Sequence, residues 1–434
     1  MNTLGRHNYF CSRCLLLILL VVQAHLTFAQ APSQATTARA QTEKLVAIAD
    51  IHGAYLELTS LLVATALVNP DLHWTGGKGR LVIVGDVLDR GADARKALDL
   101  IMRLEQEAAQ VGGSLHFVLG NHEIMNLAGD LSYVTAAGFS AYIIDENPVE
   151  RAQAFQRFQA GLQTQYSTEQ EALAAFDRSY PPGFFGHRSL FSPTGTYGKW
   201  LLSKPLVEVI DNTAFLHGGM APAFFGLGAA ELNQNGLQTL ALFLDAQQQL
   251  IKAELIHPET DLPVQGELAQ QAIDTRLQSG QPVAETLQEA SRNLNHLLQT
   301  SDLFGGDGLT WYRGMVACSP AIEQSRVTSA LQGLGVERLV IGHTPTPQGR
   351  VLGRFADKLI RADTGMLRPS FGGTPAAVII ENDILSVVYP DAPEITRPEP
   401  QLRQVGKRPF LMSDQELESL LLAADITSQA PAAN

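Results

Sequence analysis

Four aliphatic residues, Leu81-Val82-Ile83-Val84, run straight into Gly85-Asp86-Val87-Leu88-Asp89-Arg90-Gly91. An uninterrupted aliphatic run of this length reads as a strand buried on both faces, and the glycine ends it. In an open α/β sheet, ligands bind in the crevice beyond the carboxyl ends of the strands. Asp86 and Asp89 therefore stand where chemistry is done, and Arg90 where an anion would be held. Taken alone, the stretch is equally a turn with solvated charges, and only the rest of the chain separates the two readings.

The same construction recurs. Lys44 to Ala49 reads as a strand that delivers Asp50-Ile51-His52-Gly53, and residues two apart on extended chain point the same way, so Asp50 and His52 face one site. Helical periodicity over Leu56 to Leu67 and Asp93 to Gln110 brackets the organising strand. Ser114 to Leu119 is a third strand, closing on Gly120-Asn121-His122-Glu123. That order predicts a βαβαβ unit with a parallel sheet. A hairpin, Leu206 to Ile210 and Thr213 to Leu216, ends at His217-Gly218-Gly219, and Leu339-Val340-Ile341 delivers Gly342-His343-Thr344. Strands over Lys358 to Arg361, Ala376 to Ile380 and Ile384 to Tyr389 complete the sheets. Asp130 to Tyr180 and Ala229 to Leu298 are helical tracts, and Tyr180 to Arg188 is a breaker-rich loop. The expectation from this pattern is an α/β domain spanning 44–390, with insertions at about 130–200 and 225–305 forming a helical cap. Five strand ends then carry Asp50/His52, Asp86/Asp89/Arg90, Asn121/His122, His217 and His343. Carboxylates, imidazoles and one amide oxygen gathered in this way point to a metal site, and mixed oxygen and nitrogen ligands suit Mn, Fe or Zn.

Composition narrows the partners. The 434 residues are 45% hydrophobic and 17% charged, with a formal charge of −13 and no run of Lys or Arg, which argues against nucleic acid. Residues 1–29 read as an export signal: Arg6 and Arg13, an apolar run from Cys14 to Val22, then Thr27-Phe28-Ala29 before Gln30. The apolar run is shorter than the ~20 residues that span a bilayer. The expectation is a periplasmic or secreted protein with no stable membrane insertion once the signal is cleaved. Of the three cysteines only Cys318 would then remain, so no internal disulfide is expected. Residues 30–43 read as a flexible leader, and 391–434 as a Pro-rich tail with one docked helix opening at Ser413-x-x-Glu416.

Asp-x-His-Gly from Asp50, Gly-Asp-x-x-Asp-Arg-Gly from Gly85, Gly120-Asn121-His122-Glu123 and His217-Gly218-Gly219 resemble the successive motifs of the calcineurin-like metallophosphoesterases. The Asp89-Arg90-Gly91 ending is most similar to the phosphoprotein phosphatase branch. The amino-terminal signal, the long insertions and Tyr197-Gly198-Lys199-Trp200-Leu201 before Lys204-Pro205 resemble the Shewanella-like protein phosphatases. Two departures are visible: Ala49 replaces a glycine before Asp50, and Pro345 stands where phosphodiesterase branches carry a second histidine. The resemblance implies an α/β sandwich of two mixed sheets flanked by helices, and two adjacent metals, the first held by Asp50, His52 and Asp86, the second by Asp86, Asn121, His217 and His343. A bridging carboxylate would keep the ions about 3.5–4 Å apart, so that one shared hydroxide attacks phosphorus in line. His122 would protonate the leaving oxygen, oriented by Asp89. Arg90 and Arg313 would grip the phosphate. Arg188 is either a third phosphate contact or a solvated loop arginine. The implied function is a metal-dependent phosphomonoesterase acting on a phosphorylated protein or peptide (Ser/Thr or Tyr) or another small phosphoester. Cleavage of nucleotides or dinucleoside polyphosphates is the first alternative, and an inactive phosphate-binding protein the second.

Overall fold

Along β1 (Leu45–Ile48), Leu45 and Ala47 join one hydrophobic core and Val46 and Ile48 another, and all four are buried. This is the period-two alternation of a strand covered on both faces. The computed structural model describes residues 43–161, 166–400, 402–405 and 408–413. The export signal, the leader and the tail helix expected beyond Ser413 lie outside the described residues.

From β1 the chain runs through α1 (Tyr55–Ala64), β2 (Arg80–Ile83), α2 (Ala94–Gln110) and β3 (Ser114–Phe117), and β2 pairs in parallel with both β1 and β3. The helix expected to reach Leu67 stops at Ala64. Thr65 Oγ1 turns back to the Leu61 carbonyl at 2.8 Å, and Ala66 is left-handed with φ 54°. Next come α3 (Asn121–Ala128), α4 (Ala136–Ser140), α5 (Pro148–Gly161), α6 (Glu169–Ser179), α7 (Phe184–Phe191) and α8 (Thr196–Leu201). The hairpin β4 (Val207–Ile210) and β5 (Thr213–Leu216) separates these from α9 (Ala229–Lys252), α10 (Gln265–Gln278) and α11 (Glu285–Thr300). The last third holds α12 (Gly314–Ala317), α13 (Pro320–Leu334), β6 (Arg338–Ile341), β7 (Leu352–Arg354), β8 (Leu359–Arg361), α14 (Arg368–Phe371), β9 (Ala377–Glu381) and β10 (Ile384–Tyr389). Past Pro390 the chain adds β11 (Ala392–Thr396) and β12 (Glu399–Pro400), then a hairpin of β13 (Leu402–Val405) and β14 (Arg408–Ser413).

Two six-stranded sheets result, ordered β11-β10-β9-β1-β2-β3 and β12-β7-β8-β6-β5-β4. Both mix parallel and antiparallel pairs, as expected. Leu45, Val82 and Val378 of the first sheet share one core with Phe215, Val340 and Ile360 of the second, so the sheets pack face to face. β11 and β12 rejoin the two sheets, so the strand pairing continues past Pro390.

Tyr180 to Arg188, expected as a loop, is half helix. Breaker residues end at Gly183 (φ 96°), and Phe184, Phe185 and Phe191 of α7 are buried. Phe184 and Phe185 pack with Phe139 and Phe176 in a satellite core that a loop could not fill. The Tyr197-Gly-Lys-Trp-Leu motif clasps α2 to the insertion. Tyr197 Oη donates to Asp99 at 2.7 Å, and Trp200 Nε1 to Glu105 at 2.7 Å. No helix among the described residues is long and apolar enough to cross a membrane.

Candidate dinuclear metal centre

Because β1, β2 and β3 run parallel, as do β5, β6 and β8, the loops leaving them gather at one edge of each sheet. The turns there are tight. Asp50, His52, Asp86, Asp89, Arg90 and His343 all have φ between 47° and 70°, a region non-glycine residues seldom enter. Each such residue costs of order 1–3 kcal/mol and persists only where its surroundings dictate it. Here the loops are laced together: His52 N donates to Asp86 O at 2.9 Å, Gly91 N to His52 O at 3.0 Å, and Arg90 N to Tyr133 O at 2.9 Å. A Cβ at Gly120 would strike Asp86 Oδ1, and one at Gly342 would strike Asp50 Oδ2, so both close approaches need glycine.

Asp86 sits at the centre. Its Oδ2 lies 3.1 Å from His217 Nε2, 3.6 Å from His52 Nε2 and 3.8 Å from His122 Nε2, while Oδ1 accepts from His122 N at 3.0 Å. Burial opposes its charge, but the three imidazoles outweigh burial and hold the carboxyl well below the usual range. His217 Nδ1 donates to Val84 O at 2.8 Å, which makes Nε2 the lone-pair nitrogen of the neutral ring. Facing that lone pair are Asp86 Oδ2 and Asn121 Oδ1, each at 3.1 Å and each an acceptor. Acceptors turned on one another repel unless a cation lies among them, either a proton on His217 or a metal. His52 Nδ1 donates to Leu88 O at 2.9 Å and His343 Nε2 to Trp311 O at 3.0 Å, so these rings also offer one lone pair each. Burial holds both rings below the usual imidazole range and therefore neutral. Two groups, His52/Asp86/His122 and Asp86/His217/His343, each have ligand atoms within 4.8 Å of one another, and they share Asp86. The donor set fits two adjacent cations of the oxygen- and nitrogen-loving kind.

Asp50 is buried beside this cluster, accepting from His343 N at 2.9 Å, and burial followed by Asp363 and Asp86 raises its carboxyl well above the usual range. Asp363 marks a sixth strand end, after β8, that the sequence reading passed over. It lines the same cavity, and burial pushes it up to about 6. A cation arriving among these carboxyls displaces the protons they hold. Metal affinity is therefore expected to weaken as pH falls through about 6, with proton release on binding at neutral pH. Calorimetric titration in buffers of different ionisation enthalpy measures both.

Glu123 was present in the sequence only as a motif letter. Its buried carboxylate accepts from Asp86 N at 2.8 Å, Val87 N at 2.9 Å and Gly120 N at 2.9 Å, tying the β2 loop to the start of α3. A glutamate at the third helical position, placed to reach back to the N–H of the N-cap Gly120, was the available signal.

His122 Nδ1 meets Asp89 Oδ2 at 2.5 Å, and Arg90 Nη2 lies 3.1 Å from Nε2. Burial opposes the imidazolium, but Asp86 and then Asp89 overcome it and raise the ring above its ordinary value. The Arg90 guanidinium carbon lies over the Tyr133 ring at 4.7 Å and over the Phe371 ring at 5.1 Å. Arg313 donates to His343 O at 3.0 Å and to Thr344 Oγ1 at 2.9 Å. Both arginines line a cavity of about 110 Å³ together with His52, Asp86, Asn121 and His122, walled by Tyr133, Trp311 and Phe371. Asp89 and His217 stand behind this lining. Arg188 satisfies neither expectation: it is buried away from the cavity, with Nη1 on Asn126 O at 3.1 Å and the guanidinium over Gly129.

Three kinds of comparison bear on this arrangement. Shewanella-like protein phosphatase 2 of Arabidopsis thaliana is 32% identical over 196 residues, 44% of this chain and 50% of that protein. The chain thus spans about half the length of that relative. An uncharacterised protein of Schizosaccharomyces pombe is 27% identical over 347 residues, 79% of each chain. Among solved structures, a mutant of a cold-active protein tyrosine phosphatase superposes with a TM-score of 0.52 at 26% identity, covering 81% of this chain and 79% of that one. The cold-active protein-tyrosine phosphatase of a psychrophilic Shewanella species, at 24% identity and a TM-score of 0.51, shares the fold over 81% of this chain and 79% of its own. Residues 43–264, from before β1 into the second insertion and so including the first four motif loops, match the calcineurin-like phosphoesterases as a family. With that match over half the chain, and with carboxylates and imidazoles converging around Asp86, this chain belongs to the calcineurin-like phosphoesterase family.

Proposed function

We propose that this metallophosphoesterase hydrolyses phosphate monoesters on protein or peptide, with the aryl ester of phosphotyrosine preferred. The observation that carries the reaction type is the set of lone pairs facing one another around Asp86, next to a His122–Asp89 pair and two cavity arginines. Asp50, His52 and Asp86 would hold one cation, and Asp86, Asn121, His217 and His343 the other. When bound, the ions would supply a water acidified to neutral pH and neutralise charge on the phosphate. Arg90 and Arg313 bind the non-bridging phosphate oxygens through charge-assisted hydrogen bonds. Tyr133 and Phe371 pack against the Arg90 guanidinium and restrain it, so little rotamer freedom is lost when phosphate arrives. Phosphate draws Arg90 Nη2 away from the His122 Nε2 lone pair, which then takes a proton from solvent, and the imidazolium gives that proton to the leaving oxygen while Asp89 holds Nδ1. Trp311, Tyr133 and Phe371 offer ring faces to an aromatic leaving group, and tyrosine phosphatases are among the similar structures.

The test is an assay on protein freed of metal by chelation and resupplied with Mn, Fe or Zn. It compares phosphotyrosine and phosphoserine peptides with a nucleotide and a phosphodiester. Metal-restored turnover, highest on the phosphotyrosine peptide, is expected. Turnover of the nucleotide alone would overturn the substrate class, and tight phosphate binding without turnover of anything would overturn the enzyme reading. The pattern over residues 1–29 supports export of this activity to the periplasm or beyond, which cell fractionation would check.

A further inference from the structure

Behind the His122–Asp89 pair lies a second, small cavity that the proposed reaction leaves unused. It leaves about 10 Å³ for the centre of a water molecule, and Asp89, Asn126, Tyr142 and His187 are among the residues of its wall. One ordered water needs about 10–15 Å³ of such space and two to four polar partners. Two buried atoms on those residues, Asn126 Oδ1 and His187 Nδ1, have no hydrogen-bond partner among the described residues. Buried polar atoms are seldom left so, because the lost hydration is not repaid.

Both side chains are fixed. The His187 ring, carried by α7, stacks on Phe191 at 4.2 Å and meets Tyr142 edge-on at 4.8 Å. Burial, and then the adjacent Arg188, keep it neutral, with one N–H and one lone pair. Asn126 spends its Nδ2 on Asp89 Oδ1 at 2.9 Å and His122 O at 2.7 Å, and its main-chain O accepts from Arg188 Nη1 at 3.1 Å. Asp89 is therefore held on one oxygen by Asn126 and uses the other to hold His122.

We propose that one buried water joins His187 Nδ1 to Asn126 Oδ1, and that His187 and Asn126 are positioning residues for the catalytic acid. Through Asn126 Nδ2 they fix the plane of the Asp89 carboxylate, which keeps its Oδ2 on His122 Nδ1. An element of the insertion thereby sets the aim of a residue in the core of the sandwich. This inference rests on His122 as the proton donor to the leaving oxygen.

The dependence on the leaving group tests it. Phenolate departs from phenyl phosphate with help from a proton, whereas 2,4-dinitrophenolate needs little. His187→Phe keeps the ring and its stacking but removes Nδ1. It is expected to lower kcat on phenyl phosphate about tenfold with KM and bound metal unchanged, and to lower the phenyl to dinitrophenyl kcat ratio roughly fivefold. His187→Asn, which returns a polar atom near the position of Nδ1, should recover most of the ratio. Equal proportional losses on both esters, or no loss on either, would overturn the positioning role. Absence of metal-dependent turnover of both esters by the unsubstituted protein would instead overturn the hydrolase reading, and this inference with it.

Discussion

Replacing His122 with alanine is expected to lower kcat on a phosphate monoester by about two to four orders of magnitude, the range over which a positioned general acid acts. Two metal ions per chain should remain bound. The expectation follows from the way the ring is spent. Its Nδ1 is committed to Asp89 at 2.5 Å, so Nε2, facing Arg90 and the cavity, is the atom left to work. Asp86 and Asp89 raise the ring above its ordinary value, which favours the protonated form that an acid requires. The same Nε2 lies 3.8 Å from Asp86 Oδ2, within one of the two possible ligand groups. Elemental analysis beside the kinetics separates the two roles. A loss of kcat at full metal content marks a proton donor. Loss of one metal per chain marks a ligand, and the assignment of the acid would then be wrong.

The second large effect is expected at Asp86, the carboxylate common to both ligand groups. Asp86→Asn should abolish binding of the metal pair and reduce kcat/KM by about four orders of magnitude, equivalent to the several kcal/mol of charge stabilisation that cations supply. Stability gives an independent readout. Ions present at about a thousand times their Kd would stabilise the folded chain by about 4 kcal/mol, and chelating them should lower Tm by roughly 5–10 °C. Asp50, Asp86 and Asp363 are buried together, so removing the positive charge leaves a mutual repulsion that the protons taken up by Asp50 and Asp363 and the neighbouring imidazoles only partly relieve. The Asp86→Asn protein should show no Tm response to metal. A normal metal-induced rise in that variant would mean that the ions bind elsewhere.

Much of the site could be read from local pattern. β1, β2 and β6 are mainly aliphatic and β3 and β5 mixed, largely apolar runs, cut off by glycine or by the chemistry itself, and each hands its residues to the same edge of its sheet because parallel strands end together. Helix α13, absent from the expectations above, nonetheless carries local start and stop residues: Ser319 precedes it, Pro320 opens it, and Gly335 (φ 67°) closes it. α7 shows the limit, since two prolines and a glycine announce a loop, and only burial of its phenylalanines against Phe139 and Phe176 makes the following residues a helix. Asp363 follows a strand of three residues with no motif around it, and nothing local distinguishes it from a solvated aspartate.

Strand periodicity and the residues that follow each strand are short-range properties, so the chain itself carried the strands of the α/β core and the candidate residues at their ends, while the two-sheet sandwich and the pairing of His122 with Asp89 came with the family resemblance. Contacts between segments far apart in the chain are not written in any window of it. Asp50 receives the amide of His343 across 293 residues, and Arg90 lies over Tyr133 and Phe371, neither of which announces a role. Arg188, polar and flanked by breakers, is buried because the carbonyl end of α3 needs a donor and Gly129 leaves room for the guanidinium. Which acceptors face which, and therefore where a cation must sit, depends on orientations that only the packed sheets and their crossed loops impose.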